Sequence, residues 1–129
     1  MAGQNEKNTE KYLREQVEKL GGRAYKWISP GNLGVPDRIC LFPFGLIVFV
    51  EVKAEGKTVV PNSPQARRLT EINRFGFIIA VVDTKAKVDY IIDKVRTSLL
   101  DLTKIAQENL VKAKAEKEVE NGKLALRDT

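Results

Sequence analysis

The segment Leu46-Ile-Val-Phe-Val-Glu-Val-Lys53 constrains the fold more than any other part of the chain. An unbroken apolar run rich in Val, Ile and Phe, bounded by Gly45 and Gly56, predicts a strand buried on both faces. Side chains alternate along a strand, so Glu51 and Lys53 share one face and Val52 takes the other. A buried strand that ends in an acid and an amine needs a reason, because burying charge is costly. A second acid, Asp37, stands fourteen residues upstream in Gly34-Val-Pro-Asp-Arg38.

The elements around that strand follow from periodicity and punctuation. Leu13, Val17 and Leu20 mark one stripe of a first helix over about residues 6–20, after a loose leader, and Gly21-Gly22 stops it. Residues 23–28 predict a first strand, 29–34 a turn-rich loop, and 37–42 a second strand. Pro43-Phe-Gly45 then closes an antiparallel hairpin into the third. Ser63-Pro64 supplies a cap and a proline at the first helical position, opening a second helix to about Phe75. Phe77-Ile-Ile-Ala-Val-Val82 is a fourth buried strand. A strand–helix–strand unit of this kind predicts a crossover with its two strands parallel. Val88, Ile91, Ile92, Val95 and Leu99 mark the buried face of a last helix. The expected class is α/β, in the order αβββαβα, with a mixed sheet flanked by helices. One domain is expected over residues 1–100. A polar helical extension or tail should follow over 101–129, ending near Asn121-Gly122.

Composition narrows the chemistry. The 129 residues include one cysteine and no histidine. That excludes disulfide frameworks, Cys/His zinc sites and any triad that needs histidine. Cys40, in mid-strand, reads as a buried structural thiol. The polar N-terminus shows no secretory signal and no apolar run could span a bilayer, so an intracellular location is expected. The net charge is +5, and the excess lies in the first hundred residues, which hold sixteen basic and eleven acidic residues against six of each thereafter. A basic excess suits a polyanionic partner.

In the hairpin the carboxylates of Asp37 and Glu51 should converge. Hard divalent cations prefer oxygen ligands, and Mg²⁺ keeps waters that can act as nucleophile. Lys53, one side-chain repeat along, is placed to contact an attacking water and a phosphate. Gln65, in the first turn of the second helix, should reach the same place. The first helix offers Glu6 or Glu10 as a further carboxylate; either also favours a helix N-terminus through the macrodipole. Together these residues fit a divalent-metal phosphodiesterase site. The competing reading is a same-face Glu51–Lys53 salt bridge with Asp37 as a turn residue.

The segments Lys26-Trp-Ile-Ser-Pro-Gly31, Gly34-Val-Pro-Asp-Arg38, Phe49-Val-Glu-Val-Lys53 and Ser63-Pro-Gln65 resemble the VRR-Nuc domain of the PD-(D/E)XK nuclease superfamily, over about residues 6–100. The resemblance implies a restriction-endonuclease-like fold. It implies Mg²⁺ or Mn²⁺ on Asp37 and Glu51, a catalytic Lys53, and Gln65 as an extra polar site residue. It favours Glu10 as the helix ligand, with Glu6 in reserve, because Glu10 stands eleven residues before Gly21, a spacing similar to that of archaeal junction resolvases of the same superfamily.

Small stand-alone members, many of them viral or from prophages, resemble homodimeric endonucleases that cut four-way DNA junctions. The implied function is therefore a metal-dependent, structure-specific endodeoxyribonuclease acting on branched DNA in the bacterial cytoplasm, with no small-molecule cofactor. A flap or restriction-like nuclease, or a DNA-binding module that does not cleave, remains the alternative. Arg38, Lys57, Arg67 and Arg68 flank the site as expected phosphate contacts. Part of residues 88–111 is the expected dimer interface.

Overall fold

The structure is a computed structural model that describes residues 2–127, with side chains from 5 to 122. Its elements are α1 (Ala2–Lys19), β1 (Arg23–Lys26), β2 (Arg38–Leu41), β3 (Ile47–Val52), α2 (Pro64–Arg74), β4 (Ile78–Val82) and α3 (Lys85–Arg127), with a 3-10 turn at Pro43–Gly45. The strands form one sheet in the order β1-β2-β3-β4. β2 runs antiparallel to β1 and β3, and β4 is parallel to β3. The αβββαβα order and the mixed sheet are those the sequence predicts.

The pleat sorts the sheet into two faces. Val48, Val50 and Val52 share one with Cys40, Ala80 and Val82, all buried. Leu13 and Val17 of α1 and Val88, Ile92 and Val95 of α3 complete the core. Each such side chain taken from water contributes about 1.5–3 kcal/mol. Arg38, the cross-strand partner of Val50, reaches Glu10 of α1, which fixes α1 over this face. The start of α3 is tied to α1 where the Tyr12 hydroxyl donates to Asp89 and the Lys85 ammonium sits 5.4 Å from the Tyr12 ring centre.

The other face carries Phe49, Glu51 and, across the parallel ladder, Ile79 and Val81. Helix α2 covers it with Leu69 and Ile72. Eleven residues of helix span only about 16 Å at 1.5 Å per residue, so the cover is partial. Ile47 and Phe49 stay half-buried, and β3 is not sealed on both faces as its composition suggests. β4 is an edge strand, and Ile78 and Val81 on it are exposed, as is Phe77 just before it.

Three boundaries differ from expectation by two residues or more. α1 begins at Ala2, β1 ends at Lys26, and α3 runs through Asn121-Gly122 to Arg127. A helical glycine costs about 1 kcal/mol relative to alanine, too little to stop a helix that is already propagating.

The chain divides into two compact units, residues 1–96 and 97–129. Val88, Ile92 and Val95 belong to the core of the first, so they are not free for association. The second unit is helical, and within it Leu100, Leu102, Ile105, Leu110 and Val111 are exposed. Among the described residues no helix is long and apolar enough to cross a membrane.

Candidate active site

The site is built where the β2–β3 hairpin opens. Pro36 fixes the backbone before Asp37, and Asp37 lies one step beyond the Arg38–Val50 pair, opposite Glu51. The two acids are laced together through the main chain. The Asp37 N–H donates to Glu51 Oε1 at 3.2 Å, and the Val52 N–H donates to Asp37 Oδ2 at 2.8 Å. The sheet that forms the fold therefore also orients both carboxylates.

Two further side chains close on Glu51 Oε2. Lys53 Nζ stands 3.2 Å from it, and the Gln65 amide nitrogen donates to it. Gln65 is held by the start of α2, where the Ser63 hydroxyl accepts the Ala66 N–H at 3.1 Å and proline follows the cap. Gly34 sets how near α2 comes. It adopts φ +83°, and a Cβ there would lie 2.5 Å from the Gln65 Cα and 2.7 Å from the Pro64 carbonyl carbon. Only glycine allows that backbone contact.

Glu51 is 4% exposed. Burial pushes its carboxyl up to about 7, the adjacent Asp37 carboxylate adds to this, and Lys53 pulls the other way. Two facing carboxylates, one held near neutrality, form a donor set short of positive charge. A hard divalent cation with oxygen ligands fits that deficit, and one or two protein carboxylates are a usual complement for Mg²⁺.

Asp37, Glu51, Lys53 and Gln65 thus come together as expected. Glu10 does not join them. Its carboxylate is paired with Arg38, at 2.7 Å to one terminal nitrogen and 2.8 Å to Nε, on the opposite face of the sheet. Among the described residues no group of three or more Asp, Glu or Cys side chains able to hold a metal is formed. Arg38 also differs from its expected role. It is adjacent to Asp37, so the pleat turns it to the α1 face. There it donates to Glu10 and to the Ala24 carbonyl, and its side chain is only 13% exposed.

Lys57 and Arg67 are exposed. Arg67 donates to the Asn62 carbonyl at 3.1 Å. Arg68 donates to the Leu33 carbonyl at 3.3 Å and pairs with Glu71 at 3.0 Å. Cys40 is fully buried, and burial raises its thiol to about 12, as suits a structural residue.

Beside the acids, on their own face, runs a feature the motif does not announce. The Trp27 N–H donates to the Asp37 carbonyl at 2.9 Å, which sets Trp27 next to Asp37 across the sheet. The Trp27 and Phe49 ring centres lie 5.5 Å apart, and those of Phe49 and Phe77 lie 5.3 Å apart, edge to face. With Ile72 they line a cleft of about 280 Å³. Strand parity alone puts Phe49 on the side of Glu51, so that part was available from the sequence.

No family model matches the chain. The chain is 42% identical over 80 residues to "Putative nuclease p44" of Acyrthosiphon pisum secondary endosymbiont phage 1, a match covering 62% of this chain and 84% of that protein. Among solved structures, one described as "VRR_NUC domain" superposes with a TM-score of 0.64 at 33% identity, covering 69% of this chain and 95% of the other. Identity at this level across nearly the whole of each relative leaves one assignment: the chain belongs to the VRR-Nuc family of nucleases.

Proposed function

We propose that the chain is a divalent-metal-dependent endonuclease that hydrolyses phosphodiester bonds in DNA, with Mg²⁺ or Mn²⁺ as its ion and branched DNA, above all the four-way junction, as its substrate. The observation that carries the proposal is the setting of Glu51: a buried carboxylate raised to about 7, faced by Asp37 and touched by Lys53 and Gln65.

Asp37 and Glu51 are the residues that would hold the ion. When bound, the ion supplies positive charge at the scissile phosphate and an activated water at neutral pH. The chain's own residues do the rest. Lys53, anchored on Glu51, turns its remaining N–H groups toward a phosphate oxygen and the attacking water, offsetting the charge that develops as the P–O bond to the leaving oxygen breaks. Gln65 fixes the rotamer of Glu51, so that the carboxylate stays where the ion needs it. Lys57 and Arg67 contribute sequence-independent phosphate contacts.

A four-way junction carries two strands to cut, and one chain carries one site. Two-fold symmetry supplies the second. Leu100, Leu102, Ile105, Leu110 and Val111, all exposed, are the apolar surface for a homodimer.

The test is cleavage of junction, flap, linear duplex and single-stranded DNA, each with Mg²⁺, Mn²⁺ or a chelator. Junctions should be cut fastest, and only with metal. Asp37→Asn and Glu51→Gln should abolish cutting while the circular dichroism spectrum stays unchanged. Metal-dependent turnover at the wild-type rate in either variant refutes the site.

A further inference from the structure

The cleft formed by Trp27, Phe49 and Phe77 is not accounted for by folding. Apolar residues at its mouth remain in water: Phe75 is 73% exposed and Phe77 40%. A small domain does not gain from leaving aromatic rings half-covered, since each forfeits part of its burial energy.

The position of the cleft says what it is for. Phe49 and Glu51 are two residues apart on one strand, so their side chains point to the same side about 6.8 Å from each other. Trp27 pairs with Asp37 through the main chain. The aromatic floor and the two carboxylates are therefore adjacent stations on one sheet face. A strand whose phosphate lies against Asp37 and Glu51 has its neighbouring nucleotide over the rings. Polar groups that can meet a base edge also line the cleft: the Asn32 amide, which donates to the Ser29 hydroxyl at 3.0 Å, and the Arg68 guanidinium with its partner Glu71.

The volume of about 280 Å³ suits one flat heterocycle. It lies just below the range of roughly 300–1,000 Å³ that drug-sized ligands fill. A base still paired and stacked in a duplex presents an edge and no free face, so only an unstacked base can use such a surface.

We infer that this cleft binds one unpaired nucleobase next to the phosphate to be cut, so that the enzyme recognises a substrate strand by a nucleotide already displaced from its stack. The inference rests on the nuclease reading of the adjacent acids and adds what selects the substrate. Branch points, where stacking is interrupted, offer such a base at least cost. Recognition by ring stacking also makes the enzyme tolerant of base identity, because every base has a π face.

Trp27 is the single tryptophan of the chain, so its fluorescence reports on this cleft alone. The full-length protein, free of divalent metal, is titrated with a short single-stranded oligonucleotide and with an abasic oligonucleotide of the same length and charge. Quenching of Trp27 should follow the first and be at least fivefold weaker with the second. Phe77→Ala, at a half-exposed position that should not disturb folding, should weaken binding of the base-containing strand five- to hundredfold, as loss of one stacking partner does. It should leave the affinity for the abasic strand within twofold.

Equal quenching by both oligonucleotides overturns the inference, and if metal-dependent cleavage is then normal the nuclease reading stands without it. Base-dependent quenching in a protein that cuts nothing keeps the cleft and removes the nuclease reading. A Trp27 emission shift that depends on protein concentration alone assigns the cleft to a second copy of the chain and also overturns the inference.

Discussion

Replacing Gly34 with alanine should damage catalysis more than its distance from the chemistry suggests. Two costs arise at once. At φ +83° an alanine pays about 1–2 kcal/mol for left-handed backbone. Its Cβ would also meet the Gln65 Cα at 2.5 Å, about 1 Å inside the usual 3.5–4.0 Å carbon contact, and such overpacking costs about 1–3 kcal/mol.

The obstacle is backbone, so it cannot be relieved by a rotamer change; the first turn of α2 must retreat, and Gln65 with it. A total near 3 kcal/mol lowers Tm by roughly 12 °C for a domain of this size. A retreat of about 1 Å by a group that positions the site costs on the order of a hundredfold in kcat/KM. Gly31 provides the control. It has φ +80° with nothing within 4 Å of a Cβ, so Gly31→Ala should carry the strain alone and keep its activity.

The assay is junction cleavage at a temperature where thermal denaturation shows both variants folded. Gly34→Ala cleaving within twofold of the wild type under those conditions would refute the reasoning that this contact sets Gln65.

The remaining predictions concern charge and assembly. Lys53→Met should keep metal affinity within about threefold by calorimetry and lose at least a hundredfold in cleavage; a fall in affinity matching that of the acid variants would contradict a role at the phosphate. Because Glu51 ionises near 7, metal affinity should fall about tenfold per pH unit below that value as proton and cation compete, and should level off above it.

The same shift has a stability sign: the folded state takes up a proton that the unfolded chain refuses until about 4.5. The metal-free protein should therefore grow more stable as pH falls from 7 to 4.5, and urea titrations showing the reverse in this window would deny that Glu51 is the group responsible. Arg67→Gln should lower DNA affinity evenly across sequences and reduce the salt slope by about one, with an unchanged slope removing α2 from the DNA face. Truncation after Leu100 should weaken dimerisation in sedimentation at micromolar concentration, and an undiminished dimer would place the interface elsewhere.

Much of this was legible before the structure, for local reasons. Pro, Gly and the period of two or 3.6 mark elements without reference to the rest of the chain, and they gave the αβββαβα order. Asp37, Glu51, Lys53 and Gln65 could be read as one site because a hairpin and a capped helix leave little freedom in where they point. Glu10 could not be placed this way. A helical stripe tells which side turns inward and not what it meets there, and Glu10 met Arg38. For Arg38 the signal was present and outweighed by its charge: consecutive strand residues face opposite ways, so a neighbour of Asp37 cannot share its face. The end of α3 was not legible at Asn121-Gly122, because a helical glycine costs only about 1 kcal/mol relative to alanine and a propagating helix passes through it.

The hairpin that joins the two acids also governs how such a site can drift over generations. Asp37 and Glu51 meet because the register from Arg38↔Val50 to Leu41↔Ile47 is held through a three-residue turn at Pro43–Gly45. A residue gained or lost inside either strand would rotate one acid through the sheet to the α1 side, and no point substitution would bring it back. Length can change only where pairing does not count it, in the turn itself or in the loop of residues 54–62 between β3 and the cap of α2. Divergence in this lineage should therefore accumulate as loop insertions on either side of an arithmetic that stays fixed, and a relative with an altered strand length should have lost the site altogether.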